Sequence, residues 1–456
     1  MSGGEEPEEK RSAGDRGSPR AGTPAGTPGG PPGRPSAGEP GDARGRGAAL
    51  RAGVQVGARG GARLTRAYAD AVWRRLRPGE RRALPGVLGL GVTWLVFQCL
   101  DQHFLSPRNL SGIGVDMVGT GMVAAGVIFV LVIGEIDLSI GSLSGLAGAA
   151  FAALNVDHGV PEWLAVVLAV LAGTAAGAIH GFFFARTGVP AFAITLAGLL
   201  AWNGLMLYFL GPNGTIDISD QGLVASLTSD YFHSAWAGYG LAALGATVYL
   251  LTAARRARLR RAAGMPSPPR AAIWARTAAL AAVAFTAAWE LNQFQGLPLA
   301  LLIFLLVIAG LDFILHHTLY GRAVIALGGG VEGARRAGVD VDRARISVFI
   351  VSGTLAAVGG LFVTSRLVSA TPGAGDGQVL INAIAAAVLG GTSLFGGRGT
   401  IWSALLGVLV IQSIASGLAL LGTGQPLQFM ITGGVLSVTV VADSLLRRAQ
   451  ESRGHA

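Results

Sequence analysis

Residues 321–345 read GRAVIALGGGVEGARRAGVDVDRAR. The segment is a polar island between two long apolar runs, Leu297–Leu315 and Ile346–Val363. Its middle, Val331–Gly338 (VEGARRAG), predicts a short helix, entered through Gly328, Gly329 and Gly330 and stopped by Gly338. It sets Arg322, Arg335, Arg336, Arg343 and Arg345 against Glu332, Asp340 and Asp342. An Arg-rich loop of this length between two membrane spans belongs on the cytoplasmic side, well placed to meet a partner there. Charge runs alone are more often plain solvated faces, so the weight rests on the surroundings.

Those surroundings are apolar. The chain of 456 residues is 51% hydrophobic and 13% charged, against about 25% charged in a soluble protein. Its mean hydropathy is +0.53. About twelve runs approach the roughly 20 residues that cross a bilayer, near 84–104, 114–133, 138–156, 162–185, 191–210, 237–254, 273–291, 297–316, 346–366, 380–395, 399–421 and 425–446. They are continuous rather than alternating, so the expectation is an all-α polytopic membrane protein of ten to twelve spans, not a barrel. Several runs are short or broken by glycine, which suits re-entrant segments. Seventy glycines suit close helix packing.

The domain reading follows from composition. Residues 1–83 hold 16 basic and 9 acidic side chains, so most of the net charge of +9 sits there. Residues 1–60 carry almost no large apolar side chain and read as a disordered tail, not a secretory signal. Residues 62–83 suit either a basic amphipathic helix on the inner leaflet or a plain linker. Residues 84–446 form the transmembrane domain, and 447–456 a short basic tail. Arginines crowd the segments 255–276 and 317–345 and that tail, whereas 105–113, 157–161, 211–236, 292–296, 367–379 and 422–424 hold Arg108 alone, with Arg366 just beyond a border. This bias places both termini in the cytoplasm.

Some chemistry is excluded. Cys99 is the sole cysteine, so no disulfide forms within one chain, and inside the first span it reads as a small buried hydrophobe. Lys10 is the sole lysine, so the Lys-bearing phosphate loop of an ATPase is missing, and any ATP-driven work needs another polypeptide. The basic balance reports tail and loops rather than nucleic acid. No nucleophile or metal constellation accompanies the acidic residues.

Two polar breaks interrupt the apolar runs. Glu135 and Asp137 lie in GEIDLSIG; carboxylates there must line water, pair or cap, and Asp137 suits the N-cap of a helix starting at Leu138. Gly390–Thr400, GGTSLFGGRGT, reads as irregular backbone between membrane segments, with Arg398 satisfying carbonyls or facing the cytoplasm. The segments 121–148 and 381–407 echo one another, each an apolar run broken near its middle, as in transporters whose pathway lies between repeats. Glu135, Asp137, Asn203, Asn382 and Arg398 are the candidates for the pathway or its gates. His180, Glu290, Asn292, Gln293 and Asp312 read as packing or interface residues, His316 and His317 as polar edges, and Trp202, Trp236, Trp289 and Trp402 as interfacial anchors.

Four motifs together resemble a known family: GEIDLSIGS (134–142), GVPAFAITLAGLLAWNG (188–204), GRAVIALGGGVEGARRAGVDV (321–341) and AIAAAVLGGTSLFGGRGTIWSALLG (383–407). They are similar to the ribose/xylose-type permeases of ATP-binding-cassette sugar importers, over most of 90–446 and in the same order. Glu135, the loop RRARLRRAAGMPSP and WELNQFQGLP (289–298) resemble the xylose branch. The resemblance implies a non-enzymatic transport subunit in the cell membrane, paired as a homodimer in the lipid bilayer. Cytoplasmic ATPase subunits would use ATP and Mg, and an extracytoplasmic sugar-binding protein would deliver substrate. It further implies that Glu332, Gly333, Ala334, Arg335, Arg336, Ala337 and Gly338 form the ATPase-coupling helix. The family's usual Asn and Ala are replaced here by Gly330 and Gly333, which removes a capping side chain and loosens the helix. D-xylose is the expected solute; ribose, galactose, a nucleoside or an autoinducer is the alternative. An ion-coupled secondary transporter is the alternative in mechanism, and it would need titrating carboxylates in the membrane.

Overall fold

The computed structural model describes residues 78–441 apart from 376, 394, 395, 398, 425, 436 and 438–440. The tail 1–77, Arg398 and the C-terminal tail 447–456 lie outside the described residues. Fourteen α-helices follow in chain order: α1 (Pro78–Leu100), α2 (Pro107–Val132), α3 (Ile140–Ala152, continued by a π-helical turn Ala153–Asp157), α4 (Glu162–Thr187), α5 (Ala191–Leu210), α6 (Leu223–Ser229), α7 (Ala235–Ala262), α8 (Arg270–Asn292), α9 (Leu299–His317), α10 (Leu319–Gly329), α11 (Val331–Arg336), α12 (Val341–Leu367), α13 (Gly377–Leu389) and α14 (Trp402–Leu420). Among the described residues nine helices are long and apolar enough to cross a membrane. The remaining expected passes are shorter: Gly86–Leu100 within α1, the 13-residue α13, and helical residues 426–435.

The centre is built on small residues. Gly173, Gly177 and Gly181 recur every fourth residue along one face of α4 and lie directly on the backbone of α12 at Gly353, Phe349 and Ile346. A Cβ on Gly177 would collide with the Phe349 carbonyl. Lipid tails are as apolar as leucine, so helices gain by packing closely rather than by leaving water. The same device seats α2 on α12 through Gly119 and Gly359. Helices α7, α8 and α9 lie at the rim, with large apolar side chains such as Leu244, Val283 and Leu306 turned outward and Phe304 and Ile308 turned in. Cys99 is among the outward-facing residues of α1. The expected buried hydrophobe is therefore exposed on an outer helix, because a span at the rim presents most of its residues to lipid.

The end carrying few arginines is tied down by two small antiparallel ladders, Ile216–Asp217 on Ser369–Ala370 and Tyr231–Phe232 on Leu297–Pro298. Glu162 accepts hydrogen bonds from the amides of Leu223 and Val224, both 2.8 Å, and so caps α6. Arg366, the borderline exception beside Arg108, pairs with Asp116 of α2.

Candidate functional site

The break between α2 and α3 is the most polar place in the buried centre. The chain leaves α2 at Val132, turns at Gly134 with φ 84° and starts α3 at Ile140. Asp137 is only 4% exposed. One carboxylate oxygen accepts from the Ser139 amide at 2.9 Å and its hydroxyl at 2.6 Å; the other accepts from the Ser352 hydroxyl of α12 at 3.2 Å. Asp137 is thus not the N-cap expected from the sequence. The helix starts two residues later than that reading, with Ser139 in the cap position, and the carboxylate braces the turn from within.

The network continues into two more helices. The Trp202 indole N–H of α5 donates to His180 Nε2 of α4 at 3.0 Å. An indole nitrogen only donates, so Nε2 accepts and the imidazole is neutral with its proton on Nδ1. Nδ1 then donates to the Ser139 hydroxyl, 3.2 Å away. The Leu138 amide donates to Thr195 Oγ1 of α5 at 3.1 Å. One carboxylate, three hydroxyls, an imidazole and an indole thereby join the break to α4, α5 and α12 with each buried group satisfied, as a water-free interior requires. Trp202 is therefore a half-buried network member rather than an interfacial anchor, because its N–H faces inward to His180. Trp236, Trp289 and Trp402 are exposed.

Glu135 and Asp137 line a cavity of about 40 Å³ with Ile136, Val127 and Leu131 and, from α13, Ile384. That is about the room one water needs, in a lining that is mostly apolar. Glu135 is half-buried, and burial pushes its carboxyl above the usual value of 4.5, opposed by the nearby Arg345 charge. Arg345 itself lies over the Phe184 ring, 4.5 Å from its centre, tying the start of α12 to α4.

The predicted coupling segment stands at the same end. Its helix, α11, spans Val331–Arg336; Ala337 and Gly338 form the turn that ends it. The Gly338 amide donates to the Arg335 carbonyl and the Val339 amide to the Ala334 carbonyl, both at 3.0 Å, which is a Schellman stop with Gly338 at φ 82°. Ala334 is buried, whereas Glu332 and Arg335 are exposed and pair with each other at 3.2 Å. The outward face therefore offers charge while the inward face anchors the helix. Gly330 has φ 149°, which side chains with a Cβ rarely adopt, so glycine here meets a backbone requirement beyond the loss of a cap. Gly333 faces open space.

Three of the four sequence motifs meet beneath α11. A Cβ on Gly328, at the end of α10, would collide with the Val132 carbonyl at the end of α2 and would crowd the Gly397 amide. That amide donates to the same Val132 carbonyl at 2.9 Å. Gly396 lies against Gly134. The two polar breaks that echo one another in sequence thus touch, and the lead-in to α11 rests on both. The fourth motif supplies Thr195 and Trp202 to the other side of the break. Asn203 lies on α5 beside Trp202 but outside the network. Asn382 of α13 accepts from the Gln378 side chain at 2.8 Å within its own helix. Ser139, His180, Thr195, Trp202 and Ser352 were not singled out as site residues by sequence; the usable signal was an ionisable His180 inside an apolar run.

Fold and junction together define a polytopic helical membrane protein with a polar break at its buried centre. Residues 109–440 match the family of branched-chain amino acid transport system / permease components. The chain is 35% identical over 348 residues to the xylose transport system permease protein of Escherichia coli K12, covering 76% of this chain and 88% of that one. It is 32% identical to the Haemophilus influenzae protein of the same description, over 75% and 91% of the two chains. It is 30% identical to the ribose import permease protein of Bacillus subtilis 168, over 83% and 95%. No solved structure matches the chain significantly. The chain belongs to this permease family and is an integral protein of the cell membrane.

Proposed function

We propose that the chain is the membrane-spanning subunit of an ATP-driven sugar importer, with D-xylose as its solute. Xylose is favoured because identity to the xylose permeases, 32–35%, lies at or above that to the ribose permeases, 30–32%. In this reading both termini are cytoplasmic, two copies flank the pathway, a cytoplasmic ATPase pair docks on α11, and a sugar-binding protein delivers substrate at the Arg-poor end. ATP drives transport only if the ATPase pair binds it with different affinity in the outward- and inward-open states. Glu332–Gly338 receives that difference. The observation that carries the proposal is the seat of Gly328 on the Val132 carbonyl and beside Gly397. In this reading a displacement of α11 is passed through Gly328 to the α2–α3 break and its lining residues Glu135 and Asp137.

The test is labelled xylose uptake, with ribose and galactose as competitors, in cells lacking the gene and after its restoration. Loss of uptake on ATP depletion at constant proton gradient is expected. Uptake that follows the gradient instead would favour an ion-coupled carrier, and uptake of another sugar would keep the permease and change the solute. Glu332→Lys should abolish uptake while leaving the protein in the membrane; normal uptake would remove α11 from coupling.

A further inference from the structure

The hairpin α7–α8 plays no part in the junction described above. Its two helices pack chiefly on each other. Its Arg-rich end carries seven arginines between 255 and 276, and no acidic residue lies anywhere in 231–289. Between the two helix ends is a cavity of about 300 Å³, at the lower end of the about 300–1,000 Å³ of small-molecule sites. Its apolar wall includes Leu250, Leu251 and Trp274; its charged wall is Arg258, Arg261 and Arg270.

The two walls are stacked along the axis of α7. Leu250 and Leu251 lie seven or eight residues before Arg258 on α7, about 11 Å away along the helix at 1.5 Å per residue. Arg261 is held by the turn between the helices: its Nε donates to Ser267 Oγ at 3.0 Å and one terminal nitrogen donates to the Pro268 carbonyl at 3.3 Å. The fork is therefore oriented but not neutralised. None of the three arginines has an acidic partner among the described residues. Leu251 and Trp274 are exposed at the rim of the bundle, where lipid chains run.

We infer that this cavity binds an anionic phospholipid, its phosphodiester held by Arg258, Arg261 and Arg270 and its acyl chains lying on Leu250, Leu251 and Trp274. Guanidinium forks suit phosphate oxygens, and several arginines together are needed to favour an anionic over a zwitterionic headgroup. A free phosphate or a nucleotide would use the arginines but leave the apolar wall without a partner. The inference does not depend on which solute is transported.

Native mass spectrometry of the purified full chain with phosphatidylglycerol and phosphatidylcholine tests it. The wild type should retain phosphatidylglycerol about ten-fold more strongly than phosphatidylcholine, and R258Q/R261Q/R270Q should lose most of that preference. Arg255, Arg256, Arg260 and Arg276 remain in that variant, so its membrane orientation keeps its signal. Should the triple variant not fold, R258Q alone should lower the preference in part. Absence of a preference in the wild type, or its persistence in the variants, would overturn the inference. Displacement of phosphatidylglycerol by millimolar inorganic phosphate would also overturn it, because the apolar wall would then contribute nothing.

Discussion

Helices α2 and α9 are both long and strongly apolar, yet they live in different surroundings. The more apolar is α9, yet most of α2 is buried and most of α9 is not. In water the more apolar helix would be expected inside. In a bilayer both positions are apolar, so hydropathy stops sorting them, and close approach and polar satisfaction decide instead. Gly119 and Gly126 let α2 lie against the backbone of α12. Helix α9 carries bulky side chains outward, Leu306 and Phe313 both 60% exposed. Centre and rim thus differ in what a substitution should cost.

The widest gap should appear between Gly177→Leu and Gly245→Leu. The first drives a side chain into the Phe349 carbonyl at the α4–α12 contact; the second enters open space on α7. We expect Gly177→Leu to lose about 3 kcal/mol or to fail to fold, and Gly245→Leu to stay within about 0.5 kcal/mol, read by thermal unfolding in detergent. Similar losses at both would end the distinction between centre and rim.

Asp137→Leu should come next. It removes the acceptor of the Ser139 amide and of the Ser352 hydroxyl in a water-poor interior, while the Ser139 hydroxyl keeps its bond from His180, for a total loss of about 1–3 kcal/mol. Asp137→Asn keeps acceptor oxygen and should cost less. If the leucine variant melts with the wild type, the network does not brace the break.

The expected membrane class and spans follow from local composition, which is why the twelve expected passes all have helical counterparts among the described residues. The stop at Gly338 is also local chemistry. The site is only half local. The motifs around Gly134, Gly328 and Gly396 are visible as glycine-rich breaks, but nothing in their spacing says that they touch one another. The network is less visible still. Asp137 and His180 stand out as ionisable groups in apolar runs, but residues 139, 195 and 352 are ordinary one at a time, and Trp202 has the look of an anchor until its N–H finds His180. Likewise Cys99 reads as buried because an apolar run carries no mark of which helix is at the rim.

Glu135 offers the smallest and most selective effect. Its carboxyl is raised in the folded state, so the folded chain holds the proton where the unfolded chain has released it. Stability therefore falls as pH rises from the ordinary value of 4.5 through the raised one, and the deficit persists above it. Glu135→Gln should remove that slope and raise the melting temperature slightly at neutral pH, with the wild type matching it near pH 4. A wild-type curve parallel to the variant's across that range would place Glu135 in an environment like bulk water.

The most direct test of the account is ATP-dependent uptake per folded molecule for Gly328→Ala against Gly329→Ala, in cells holding the partner proteins. The two glycines are neighbours at the end of α10, but a Cβ on Gly328 strikes the Val132 carbonyl whereas one on Gly329 meets nothing within 4 Å. If motion of α11 reaches the pathway through this junction, Gly328→Ala inserts into the membrane but does not transport, and Gly329→Ala transports as the wild type does. Equal uptake by the two variants would contradict it.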